Sequence, residues 1–397
     1  MDFRETDEQK MLRQMVRKFA QNEVRPVCRE LEQRPDPKDC YPWEILKKAS
    51  KLGLRTLSIP AEYGGGGVTD VASYIIFCEE LSVGDFAFGI SLGTQTVGLA
   101  AYLDRVCSKE QKDEWFPKIV ADDTFLIALA QTEPNAGTDN VLMASVPGAG
   151  MQTYAERRGE EYIINGTKHF ITNGGLAKLY ILNARTDKKL SLTECKSQFL
   201  VSPNTVGFSI GSFHNKSGGR CGPTTELIFD DMHVPASQLL GREGGSPRDM
   251  LQAAVHQIAG LACRVGLLRA IYEASVEYAS TRIQGGKPII QHQLIAAHLS
   301  EMRIRIEAAR QLVYRQGWCW ENNCEYDPKI TTLLRAFICQ CGAHMAFQAN
   351  DIHGGMGCDK EMVIDKLVRD MFATLHAPSI GQALITGAPG WVPQTAL

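Results

Sequence analysis

The sequence predicts an α+β protein of three consecutive units: an N-terminal helical domain over residues 1–123, a central antiparallel β-domain over 124–242, and a C-terminal four-helix bundle over 243–397. Three observations carry this. Apolar residues recur at three- and four-residue spacing at both ends of the chain, the middle breaks into short β-rich runs, and the late helical stretches are long enough for a bundle.

In chain order, Thr6 with Gln9 reads as a capping box ahead of Met11, Leu12, Met15, Val16 and Phe19. Helices are predicted at 42–52, 70–81, 86–103 and 109–121, around a turn-rich stretch at 58–67 that ends in a run of glycines. Strands are predicted at 125–130, 162–164, 180–183, 198–201, 208–210 and 226–229, separated by Gly, Asn, Asp and Pro. No helical crossover falls between them, so an antiparallel sandwich or barrel is favoured over a Rossmann unit. Helices then return at 250–280, 291–321, 328–348 and 360–374, placing a cofactor site between the β-unit and the bundle.

The chain has 397 residues, 44% apolar and 22% charged, and carries a net charge of −3 without a basic block. That balance excludes disorder and argues against nucleic acid as a partner. The polar N-terminus shows no secretory or transit pattern, and a cytoplasmic location is expected. The apolar stretches 86–103 and 251–268 are interrupted by Gly, Thr, Gln, His or Arg and read as buried helices, so no membrane partner is expected. Twelve cysteines occur without a C-x-x-C pair, which suits scattered reduced core thiols better than a metal or disulfide framework; no metal site is expected.

Neither G-x-G-x-x-G after a strand nor G-x-x-x-x-G-K-[ST] occurs. Gly89-Ile90-Ser91-Leu92-Gly93 fits G-x-S-x-G, but it lies in an apolar helical run rather than on a strand-to-helix turn, so close helix packing is the better reading. More specific is Gln131-Thr132-Glu133-Pro134-Asn135-Ala136-Gly137-Thr138-Asp139, which resembles the T-E-P-x-A-G-S-D signature of the acyl-CoA dehydrogenases. Asn165-Gly166-Thr167-Lys168-His169-Phe170-Ile171-Thr172-Asn173 resembles the same family's N-G-x-K-x-W-I-T-N, with Phe for Trp. Similar stretches follow in order: the loop Gly219–Thr224, Leu227–Asp231 with its terminator Val234-Pro235, Arg282–Pro288 with His292-Gln293, and Asp351–Gly357 ahead of Arg369-Asp370. The resemblance spans nearly the whole chain and implies the family's helical, β, helical fold.

It also implies an FAD-dependent oxidoreductase acting at the α,β carbons of an acyl-CoA thioester. A flavin that takes a hydride from carbon needs a donor at its reactive nitrogen, a flat apolar cover and polar backbone along its pyrimidine edge. Thr172, Phe170 and Gln131-Thr132 match those roles, with Leu129, Gly137 and Thr138 beside them. Arg282, Gln284, Gln293, Asp351, Gly354, Gly355 and Gln382 match the partners of the dinucleotide's pyrophosphate and adenosine. These are often reached across a subunit boundary, so a homo-oligomer, tetramer or dimer, is expected with FAD near the interface. Thr138, Arg220 and Gln257 match substrate positions, although Arg220 also reads as a solvated loop arginine. The family's default electron acceptor is an electron-transfer flavoprotein.

The chain departs from the family at the catalytic base. Most members supply a Glu shortly after the R-D pair, whereas ungapped counting from Arg369-Asp370 places Pro378 there, and no acidic residue follows Asp370. Proline also removes a backbone N–H that helps polarise the thioester carbonyl. A second base position lies on the helix that opens the bundle, where counting back from Gly266 gives His256; His376 in the altered loop is the other candidate. Each imidazole is a competent base near neutral pH, and a histidine satisfied within a buried helix is the alternative for His256. Gln257, Asp351, Cys358 and Gly285 replace Arg, Gln, an aromatic residue and Phe, and suggest a reshaped acyl pocket; the altered base geometry would suit an alicyclic or aromatic-ring acyl group. Gly89 stands where members taking dicarboxylic acyl groups carry Arg, so a distal carboxylate is not favoured. The tail after Thr386 does not continue the family's helix. Decarboxylation, elimination, enoyl reduction, or acyl-CoA binding without turnover remain the alternative functions.

Overall fold

The computed structural model describes residues 4–142, 144–245, 254–324, 326–375 and 380–387. The N-terminal unit contains α1 (Asp7–Phe19), α2 (Arg25–Leu31), α3 (Trp43–Lys51), α4 (Val71–Gly84), α5 (Phe86–Gly89), α6 (Leu99–Val106) and α7 (Lys109–Ala121). Thr6 caps α1 as its sequence anticipates: its hydroxyl accepts from the Gln9 N–H at 3.2 Å, and the Gln9 side chain accepts from the Thr6 N–H at 3.1 Å.

The 86–103 stretch is not one α-helix. Between α5 and α6 the segment Ile90–Gly98 winds as a π-helix, a form that clusters at functional sites. It and the end of α5 pack tightly because glycines leave room: a Cβ at Gly89 would stand 2.0 Å from Ser82 Oγ, and one at Gly93 would stand 2.9 Å from Cys78 Sγ.

The middle unit is one sheet of β1 (Ile127–Ala130), β2 (Tyr154–Arg158), β3 (Glu161–Thr172), β4 (Leu179–Arg185), β5 (Lys196–Val201), β6 (Phe208–Phe213), β7 (Thr224–Pro235) and β8 (Leu239–Leu240), in the order β6-β7-β3-β2-β4-β5-β8, with β1 on β4. The sheet is mixed rather than purely antiparallel. β1 runs parallel to β4 from Ile127↔Leu179 to Ala130↔Leu182, and β2 meets β4 in parallel at Tyr154↔Arg185. β1 enters straight from α7 and reaches β4 only after the β2–β3 hairpin, so no tight turn sets its direction.

The C-terminal unit contains α8 (Ala254–Thr281), a β9 (Ile283–Gln284) and β10 (Lys287–Pro288) hairpin, α9 (Gln293–Glu321), α10 (Pro328–His353), α11 (Val363–Thr374) and α12 (Ile380–Gly387). α8 is the core helix, buried along most of its length and packed on α4, α9 and α10. Gly266 brings it against α4, since a Cβ there would lie 2.4 Å from the Glu79 carbonyl oxygen. Around this contact Glu79 and Glu80 are buried, with Arg269 at 2.7 and 2.8 Å, Arg310 at 2.8 Å from Glu79 and Arg13 at 2.5 Å from Glu80, tying α1, α4, α8 and α9 together. The two most apolar helical stretches, Phe86–Val106 and Ala254–Thr281, have 89% of their apolar windows inside the protein and are core helices. All twelve cysteines are free and nine are buried, as expected of small core residues.

Candidate active site

The end of β1 and the end of β3 meet where the two strongest motifs fall. The His169 N–H donates to the Thr132 carbonyl at 2.7 Å, and the Lys168 ammonium donates to the Gln131 carbonyl at 3.1 Å and to Glu133 at 2.8 Å. Glu133 also accepts from the N–H groups of Gln152 and Thr153 at 2.6 and 2.9 Å. Burial pushes fully enclosed Lys168 down to about 8 against the pull of Glu133. Burial alone would raise Glu133, but the Lys168 charge and the Gln152 N–H hold it below the usual carboxylate range.

Past Lys168 the β3–β7 register slips, and Phe170 takes a left-handed φ of 55° with 56% of its surface exposed. A bulky residue held in that region is strained, and such strain gathers at functional positions. Its ring stacks at 4.1 Å on His214 and at 4.6 Å on His169. Burial lowers His214, whose Nδ1 meets the Thr224 carbonyl at 3.0 Å and whose Nε2 is sealed from water without a hydrogen-bond partner among the described residues. Thr172 pairs with Thr224 on β7 and is partly exposed, as are Leu129, Gln131, Thr132 and Thr138, while Gly137 is exposed. The residues assigned from sequence to the flavin ring thus fall on β1, the segment after it and the second half of β3, which the His169–Thr132 and Lys168–Gln131 bonds join.

Ser91 is no nucleophile. Its hydroxyl donates to Asn173 Oδ1 at 2.7 Å and meets the Tyr41 hydroxyl at 3.0 Å, all buried, while Asn173 reaches the Ile127 carbonyl at 3.0 Å. The same π-helix bridges β1 and α8. Gln95 Oε1 accepts from the Leu129 N–H at 3.2 Å, and the Thr94 carbonyl faces His256 Nδ1 at 2.9 Å. A carbonyl partner assigns the proton to Nδ1 and leaves the Nε2 lone pair available. The residue keeps some exposure, yet lost hydration pushes its pKa down to about 4; the Thr94 carbonyl opposes the shift and the charge of Arg335 adds to it. Gln257 is partly exposed beside it. His376 and Pro378 lie outside the described residues, and Gln382 sits on α12.

Arg282, Gln284, Gln293, Asp351, Gly354 and Gly355 form a second, exposed group where α8 and α10 end. Tyr278 joins these ends: its ring stacks at 4.3 Å on His353 and its hydroxyl donates to the His353 carbonyl at 3.3 Å. A Cβ at Gly354 or Gly355 would meet nothing within 4 Å, so backbone there is open to a close-lying group. From His256 to Arg282 the helical rise amounts to about 39 Å.

Arg220, read from sequence as a substrate contact or a solvated loop arginine, is held by protein partners. Its Nε donates to the Glu32 carbonyl at 2.7 Å, an Nη to the Lys216 carbonyl at 3.1 Å, and it also holds Asn215 and the Arg34 carbonyl. Nε and Nη2 tie the β7 approach loop to the end of α2 and the segment after it, and Nη1 braces the loop on itself. Cys28, Asp85 and Cys221 bring potential ligand atoms within 4.8 Å, but the Lys366 ammonium lies 2.7 Å from Asp85 and already supplies the positive charge. Sequence reasoning missed Arg264 and Arg335; a charge inside the apolar 258–268 run was the available signal for the first.

A strained aromatic exposed near the end of an interior strand, polar backbone beside it and an open glycine loop suit a flavin-dependent oxidoreductase of helical, β, helical build. Family models match in the same order: the acyl-CoA dehydrogenase N-terminal domain over residues 6–123, middle domain over 128–232 and C-terminal domain over 243–375. The chain belongs to the acyl-CoA dehydrogenase family, flavoenzymes that use FAD and act on CH–CH bonds. An acyl-CoA dehydrogenase of Bacillus subtilis (strain 168) is 36% identical over 373 residues, covering 93% of both chains. An acryloyl-CoA reductase (NADH) of Anaerotignum propionicum is 32% identical over 371 residues, 93% of this chain and 90% of that one. The butyryl-CoA dehydrogenase structure from Megasphaera elsdenii superposes with a TM-score of 0.87 at 31% identity over 98% of both chains. The exposed Phe170, the orphaned His214 Nε2 and the open glycine loop suit FAD.

Proposed function

We propose that the chain dehydrogenates the α,β carbons of an acyl-CoA thioester, with His256 Nε2 accepting the α-proton. FAD supplies the hydride acceptor. The observation that carries the reading is the Nδ1–Thr94 bond at 2.9 Å. It orients the imidazole, holds its proton on Nδ1 so that Nε2 is free to accept, and joins it, through the π-helix, to the strand that leads to Gln131 and Thr132. A pKa near 4 keeps the ring unprotonated at neutral pH, able to accept a proton and poor at donating one.

Thr172, Gln131 and Thr132 would hold the flavin edge and Phe170 would lie at its face, while Arg282, Gln284, Gln293, Asp351, Gly354 and Gly355 would hold the pyrophosphate and adenosine. The separation of about 39 Å between the two ends of α8 exceeds the reach of one dinucleotide, so the second group serves the cofactor of another copy. Exposed Ile283 (57%), Leu294 (67%) and Phe347 (64%), in the hairpin and on α9 and α10, supply apolar surface for that homo-oligomer. An electron-transfer flavoprotein is the acceptor this reading implies, and a ring-shaped acyl group suits the changed base.

Anaerobic mixing with saturated acyl-CoAs of varied shape tests the proposal. Wild-type protein bleaches in the flavin band, and His256→Ala slows bleaching by about 10²–10⁴-fold at equal FAD content. Full-rate bleaching by His256→Ala sinks the base assignment. A spectrum that stays oxidised with every bound thioester sinks dehydrogenation.

A further inference from the structure

Two histidines back Phe170, and neither has a task in the proposed chemistry. His214 lies 4.1 Å from the Phe170 ring and His169 4.6 Å, with planes tilted by 21° and 20°, and the two imidazoles are 4.4 Å apart. Rings on opposite faces of Phe170 would stand about 7 Å apart, two van der Waals contacts, so both imidazoles cover the same face. The other face belongs to a side chain that is 56% exposed. The His214 backbone N–H and Nδ1 both meet the Thr224 carbonyl, at 2.9 and 3.0 Å, and Thr224 pairs with Thr172. The ring proton is thereby assigned to Nδ1, and the Nε2 lone pair is sealed without a partner among the described residues. A proton arriving there would lie over the Phe170 ring as a cation on a π face. Burial lowers the His214 pKa; the Thr224 carbonyl and Glu226 on β7 oppose the shift, and His169 and Lys216 add to it. Other nearby charges are engaged elsewhere: Lys168 with Glu133 at 2.8 Å, and Lys38 over the Phe213 ring at 5.3 Å.

We propose that the His169–His214 pair takes up one proton from solvent when the bound FAD is reduced, acting through Phe170 as a charge-compensating pair; this rests on the placement of Phe170 at the flavin face. A hydride carries two electrons and one proton, so its arrival leaves the cofactor one charge more negative. A proton bound by an imidazole offsets that charge, and repulsion between two rings 4.4 Å apart limits the uptake to one. Imidazole suits the task because its charge changes between about pH 5 and 8. The consequence is a reduction potential that falls more steeply with rising pH than the hydride alone requires.

The test measures the midpoint potential of the FAD-loaded protein from about pH 6 to 8 by anaerobic equilibration with redox dyes. Wild type is compared with the double variant His169→Asn, His214→Asn, in which asparagine keeps a donor for the Thr224 carbonyl but cannot take up the proton. One proton per two electrons is worth about 30 mV per pH unit, the tenfold equivalent for a two-electron couple. The wild-type potential should fall more steeply than that of the double variant by up to this amount, while the cofactor's own protonation is common to both. Equal slopes overturn the inference. Phe170→Leu tests the placement: an unchanged flavin absorption band refutes placement and inference together, whereas a shifted band with equal slopes sinks the inference alone. Should the double variant lose FAD, coulometric reduction of wild type at about pH 7.5 decides. More than one proton taken up per electron pair supports the inference, and a single proton overturns it.

Discussion

Replacing Glu133 by Gln isolates one buried charge where the ends of β1 and β3 meet. Glu133 accepts bonds from the Gln152 N–H, the Thr153 N–H, the Thr153 hydroxyl and Lys168, and Lys168 has no exposure of its own. Glutamine keeps the shape but supplies no countercharge and presents an NH2 group toward donors, so Lys168 stays buried with its charge unanswered. The expected loss is about 3–5 kcal/mol. Thermal unfolding of Glu133→Gln, Lys168→Met and the double variant measures it. The double variant should recover most of the single variant's loss, because it removes the stranded cation. The sign of the pH effect follows from Lys168, whose folded pKa near 8 lies below its ordinary 10.5. The folded state sheds that proton first, so the Lys168 contribution to stability rises as pH climbs from about 8 toward 10.5. The Glu133→Gln deficit therefore shrinks at pH 9 relative to pH 6. A double variant no more stable than the single, or a deficit indifferent to pH, refutes the reasoning.

Two more predictions follow from named side chains. With His256 depressed to about 4, the acid limb of kcat/KM should fall well below the ordinary histidine range, and a limb near 6.5 assigns proton acceptance to another group. Phe170→Gly should relieve about 1 kcal/mol of left-handed backbone strain yet lower the FAD-to-protein ratio after dialysis; unchanged retention shows that the ring does not cover the flavin.

Local signals in the sequence served well where one rule acted alone. The Thr6–Gln9 capping box and the helix at Lys109–Ala121 stand where periodicity and caps place them. β2 was not visible because Tyr154–Arg158 carries three charges in five residues and shows only one buried position, so it lacks an apolar alternation. β3 was read short: its second half bends through a bulge, and Phe170 breaks the two-residue period there. The parallel β1–β4 pairing is a long-range choice that no turn encodes. At the site, the motifs pointed to residues that lie near the ends of β1 and β3, whereas the tie from the π-helix to His256 was invisible, because it joins segments far apart in the chain.

The π-helix Ile90–Gly98 gives the chain an unusual sensitivity to length. Thr94, Gln95 and Thr96 each bond a different partner, His256, Leu129 and Ile127, across two domains. Substituting any one of them loosens one bond. Deleting a single residue would shift these three positions out of register with their partners at once. Imidazole and strand would then lose their common reference together, so drift by insertion or deletion is barred here even where drift by replacement is tolerated.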